Sequence, residues 1–229
     1  MAHSNLRLAA LGAVLMIAIA LGARAAGSEP VVRGGADGAR YRLTAAAARR
    51  ASVPVLPPAA PLRFAPGIAA SDERVVLATV GGARPQARHL VELVAGLVTV
   101  RVGRPGEGVA GRMRTTPTGY GVELDLGPVY RANGMRGVRR LVLHELAHVV
   151  DDAIVPTALE RELDVATPAG FGCDGGGDSG ACAAREERFA ESFAKWATGD
   201  IGVDVQLGYR VPPPTSLEGW GHPLAALLR

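Results

Sequence analysis

His144-Glu145-Leu146-Ala147-His148 sets two imidazoles one helical turn apart, with a carboxylate beside them. Residues four apart share a side only in a helix, and the flanks supply one. Val138, Leu141, Val142, Leu143, Leu146, Ala147, Val149 and Val150 are apolar nearly all the way round, the pattern of a helix enclosed by protein. Polar groups in such a helix need compensation. A divalent zinc ion provides it by taking the two neutral imidazole nitrogens, which leaves Glu145 to act as base on a water molecule at the metal. With only 5 histidines in 229 residues, chance placement explains the motif poorly.

A zinc enzyme needs a third protein ligand and an open fourth position. The segment from Arg185 to Trp196 supplies the candidate. On a helix of about 3.6 residues per turn, Glu187 and Glu191 share a face with Ala183, Ala190 and Ala194, while Phe189, Phe193 and Trp196 line the opposite side. Small residues around the glutamates allow close approach to the histidine helix. Glu186 points away, so Glu187 is the expected ligand and Glu191 the expected acceptor of an imidazole N–H. A metzincin ligand pattern fails, because positions 151 and 154 hold Asp151 and Ile154. Asp151 lies on the histidine side of its helix and is expected to orient a ligand rather than bind metal.

The string His144 to Asp152, followed at a distance by Glu187-Arg188-Phe189-Ala190-Glu191-Ser192-Phe193, resembles the gluzincin metallopeptidases of the anthrax lethal factor and Pro-Pro endopeptidase type. The resemblance covers residues 137 to 197. It implies zinc held by His144, His148 and Glu187, with Glu145 as catalytic base. It also implies an α+β, zincin-like fold: a small twisted mixed sheet packed on the buried histidine helix, followed by the ligand-bearing helix. Relatives carry a tyrosine shortly before the ligand glutamate that stabilises the oxyanion, and residues 175 to 186 contain none. Tyr209 and His222 are the candidate substitutes. By the same resemblance, Tyr120 to Leu126 is a candidate edge strand for pairing with an extended substrate.

Arg7, the apolar run Leu8 to Leu21 and the small residues around Ala25 read as a signal peptide over residues 1–25, so a secreted protein is expected. Membrane attachment follows only if that segment is not cleaved. Cys173 and Cys182 lie in a glycine-rich connection and, in an oxidising compartment, are expected to close a small disulfide loop before the ligand helix. Residues 26–70, rich in Ala, Gly, Pro and Arg, read as a linker or pro-segment, and residues 71–229 as one catalytic domain. Arg74 to Val80 reads as a strand, Pro85 to Ala95 as a helix and Val98 to Val102 as a strand. Arg112 to Thr116 and Tyr120 to Leu126 read as a hairpin, with Val122, Leu124 and Leu126 facing inward.

A net charge of +3 and scattered arginines, without basic runs interleaved with aromatics, give no footprint for nucleic acid. The expected partner is a protein or peptide substrate, and a monomer is expected. The competing expectation is an exported zinc-binding or cell-surface interaction protein without catalysis. A deformylase-like activity ranks last, since the upstream glycine-cysteine motif is absent.

Overall fold

The structure is a computed structural model that describes residues 60–167, 183–205, 207 and 211–228. Its elements in chain order are β1 (Arg63–Phe64), α1 (Ala70–Gly81), α2 (Pro85–Ala95), β2 (Val98–Val102), β3 (Gly111–Thr116), β4 (Gly119–Leu124), α3 (Leu126–Ile154), α4 (Thr157–Ala166), α5 (Arg185–Thr198) and α6 (Leu217–Ala226). Among the described residues the strands form one mixed sheet in the order β1-β2-β4-β3, and the class is α+β. β1, β2 and β4 run parallel, and β3 alone runs antiparallel on the far edge.

The sheet divides by period two into a core face and a wet face. Val98, Val100, Met113, Tyr120, Val122 and Leu124 are buried. Register places Val100 beside Val122 and Val122 beside Met113, so the apolar side chains align across the strands. On the other face, Glu123 accepts from Arg114 at 2.5 Å. The helices cover the core face, and α3 packs most extensively with α5. Phe189, Phe193 and Trp196 of α5 stack into an aromatic cluster with Trp220 of α6. Gly221 makes room for the Trp196 ring, since a Cβ there would overlap the indole.

Several expectations need correction. Arg74 to Val80 is helical, inside α1. Val76, Thr79 and Val80 are its buried residues, at helical rather than alternating spacing, and Asp72 and Glu73 favour the first turn of a helix. β4 ends at Leu124, and Leu126 opens α3 instead of facing inward from a strand. β4 is also an interior strand, bonded on both sides, so it cannot be an edge; the edge strands are β1 and β3. The folded domain begins before residue 71, because Arg63–Phe64 pairs with β2 and Leu62 and Ala65 are buried. The proposed signal segment at residues 1–25 lies outside the described residues. Among the described residues no helix is long and apolar enough to cross a membrane.

The histidine helix is the distal half of α3, bent at Gly134 (φ 61°, ψ −161°). That backbone conformation is essentially restricted to glycine. Nothing stands within 4 Å of a Cβ placed there, so the requirement is conformational and not steric. Gly134→Ala should therefore lower unfolding stability by roughly 1–3 kcal/mol. Gly127→Ala, in the first turn of α3 with its nearest neighbour Arg131 Nη1 at an ordinary 3.5 Å, should be neutral or slightly stabilising. Urea denaturation of both variants checks this, and equal effects would dismiss the bend as a glycine-dependent feature.

Candidate metal centre

The distal half of α3 is buried on every side from Gly137 to Asp151, except at Arg139. His144, Glu145 and His148 are each only 4% exposed. A helix placed this deep must satisfy its own polar side chains, and α5 brings the partners. Ala190 and Ala194 are fully buried, which allows Glu187 and Glu191 to approach the histidine face.

Glu187 Oε2 is the point of convergence. His144 Nε2 lies 3.0 Å from it and His148 Nε2 lies 3.4 Å from it. The two rings meet edge to face with centroids 4.9 Å apart. One donor atom from each of His144, His148 and Glu187 lies within 4.8 Å of the others, a group able to hold a metal ion. Ligands at about 2.0–2.1 Å around a tetrahedral ion stand roughly 3.3–3.4 Å apart, close to the spacing found here.

Glu191 occupies the other side of His144, with Oε2 3.4 Å from Nδ1. This is an ion-pair distance, short of a directed hydrogen bond. Glu191 is itself held by Lys195 Nζ at 2.9 Å and by Arg140 at 3.2 Å. Arg140 and Lys195 both donate to the Gly202 carbonyl, and Arg136 pairs with Asp200 further out. Sequence reading missed Arg140 and Lys195. Their signal is spacing: Arg140 precedes His144 by one turn and Lys195 follows Glu191 by one turn, so each belongs to a face already marked as polar and buried.

Asp151 is buried and accepts from Arg185 at 2.5 and 3.2 Å, which ties the start of α5 to the end of the histidine helix. The sequence does not announce this arginine partner for Asp151, which is expected there to orient a ligand. His222 is exposed on α6 and is not a member of the metal-capable group. Tyr209, Cys173 and Cys182 lie outside the described residues. Tyr120, expected as part of an edge strand, is buried and donates to Asp152 at 2.8 Å.

The protonation of these side chains follows from their contacts. Burial pushes the His144 imidazole down, but Glu187 and Glu191 outweigh it and lift it to about 10. Burial pushes Glu187 up, and His148 and His144 overcome this to hold it well below the ordinary carboxylate range. Glu191 is likewise held at about 2, against its burial, by His144, Arg140 and Lys195. Its contribution to stability is therefore present above its ordinary value of 4.5 and is lost as pH falls through about 2. His144 has the opposite sign: its proton stabilises the metal-free protein fully below 6.5 and ceases to do so as pH rises through about 10.

No protein-family model, curated protein or solved structure matches the chain.

A metal ion must displace the His144 proton, so affinity should rise with pH by up to about tenfold per unit between about pH 6 and 8. Competition titration with a chromophoric chelator measures this, and a flat profile would contradict the protonated metal-free state. Glu187→Ala should lower metal affinity by at least about tenfold, and Glu186→Ala by far less. Equal losses in the same titration would contradict the assignment of Glu187.

Proposed function

We propose that the protein is an exported zinc-dependent endopeptidase with a gluzincin-like site. The observation that carries this reading is the meeting of two imidazole nitrogens and one carboxylate oxygen beside Glu145, whose charge is felt at His144. This donor set suits zinc and leaves a coordination position for water or substrate. Bound there, zinc would polarise a substrate carbonyl and make an adjacent water more acidic.

The remaining steps belong to the chain itself. Glu145 takes a proton from the attacking water and returns it to the leaving amide nitrogen, which cannot depart as an anion at neutral pH. Glu191, near Nδ1 of His144, favours coordination through the opposite nitrogen, the one that already faces Glu187. Arg140 and Lys195 keep Glu191 charged and in place.

Substrate engagement rests on the sheet. β3 bonds to β4 on one side, and its other side has no strand partner among the described residues. An extended peptide adds to such an edge through main-chain hydrogen bonds, with little demand on its side chains. The mixed sheet over a buried histidine helix, with the ligand helix next to it, supports a zincin-like arrangement. The apolar run Leu8 to Leu21 supports export.

Glu145→Gln removes the base and retains the volume. Turnover of a mixed peptide library should fall by at least about 10²-fold while bound zinc per chain stays unchanged. Full activity in that variant would refute hydrolysis through Glu145, and loss of zinc with activity would assign the residue to the metal instead.

A further inference from the structure

Gly111 opens the edge strand and faces Glu145. Register sets it opposite Leu124, which places it on the buried face of the sheet together with Met113. A Cβ at this position would stand 2.7 Å from both Cγ and Cδ of Glu145, and nearer still to Oε1. Such separations lie inside van der Waals contact, so a side chain at 111 and the present position of Glu145 exclude one another. Backbone freedom does not explain the glycine. Gly111 is not among the residues with positive φ, and an L-residue could adopt its strand conformation.

The strand cannot easily retreat. It pairs with β4 from Gly111 to Thr116, and just before it the Ala110 carbonyl accepts from Asp125 N–H at 2.7 Å. Glu145 is a flexible side chain on a helix packed from all sides, so it is the carboxylate that would have to swing to another rotamer. We propose that Gly111 is a positioning residue for Glu145: the absence of a side chain at 111 leaves the slot that the carboxylate occupies against the edge strand.

The catalytic consequence rests on the peptidase reading; the steric relation does not. A general base has to reach its proton within about 2.6–3.2 Å, and a displacement of about 1 Å can cost on the order of 10²-fold in rate. The slot thus ties the place where substrate would pair to the place where its bond would break.

A double-mutant cycle with G111A, E145A and G111A/E145A tests the proposal, with thermal unfolding and zinc affinity measured for each, and kcat and KM for the parent and G111A. G111A should lower Tm by roughly 5 °C in the parent chain and by far less in the E145A background. It should also lower kcat about 10²-fold, with zinc affinity and KM within about twofold of the parent. If G111A alone does not fold, recovery of a cooperative transition in G111A/E145A supports the slot, and failure of both overturns it. Equal Tm losses in the two backgrounds, or parental kcat in G111A, would also overturn it. Failure of the peptidase reading is distinct: the parent chain then shows no turnover while the Tm coupling between positions 111 and 145 persists.

Discussion

The helix pair α3 and α5 brings together two histidines, three glutamates, an aspartate, an arginine and a lysine, and the packing of the two helices depends on keeping those charges compensated. Breaking a buried pair by removing one partner typically costs about 3–5 kcal/mol, since the survivor is left in a poor solvent. Pairing runs from the centre outward: His144 and His148 against Glu187, His144 against Glu191, Glu191 against Arg140 and Lys195, and both cations against the Gly202 carbonyl. Arg136 with Asp200 carries the series to the surface.

That series gives the irregular turn after α5 a purpose. Gly199, in the left-handed region, ends the helix and turns the chain back, so that Asp200 and the Gly202 carbonyl face the arginines of α3. The bend at Gly134 has a complementary role at the other end. It separates the exposed opening turns of α3 from the buried half that bears His144 and His148. On the opposite flank, the Arg185 to Asp151 pair fixes where α5 begins, and Arg188 with Asp164 brings α4 alongside. Position along α5 is what decides whether Glu187 or Glu186 meets the imidazoles.

Much of this was legible in the chain. The apolar surround of His144 and His148 announced burial, and the alanine and aromatic faces of the Arg185 to Trp196 segment announced which glutamates turn inward. α2 and β2 follow their sequence patterns to the residue. Arg74 to Val80 misled because a run of valine and leucine suits either a strand or a half-buried helix, and only tertiary packing decides between them. α4 buries only Leu163 and α6 only Trp220, Gly221 and Leu224, so neither presents a long apolar stripe. The order of strands was not readable at all. A hairpin signal shows that β3 and β4 pair, but not which of them takes the second neighbour, so β4 lies inside the sheet where the resemblance implies an edge. The arginine and lysine that hold Glu191 sat in plain view at helical spacing, and cations at buried positions are rare enough that their partners have to be seen first.

His144, His148 and Glu187 are placed to hold one divalent ion jointly. X-ray absorption at the zinc edge on the zinc-loaded protein should then show four nitrogen and oxygen scatterers at about 2.0–2.1 Å, with the multiple-scattering pattern of two imidazoles. A sulfur shell at about 2.3 Å, or an imidazole count other than two, would contradict it.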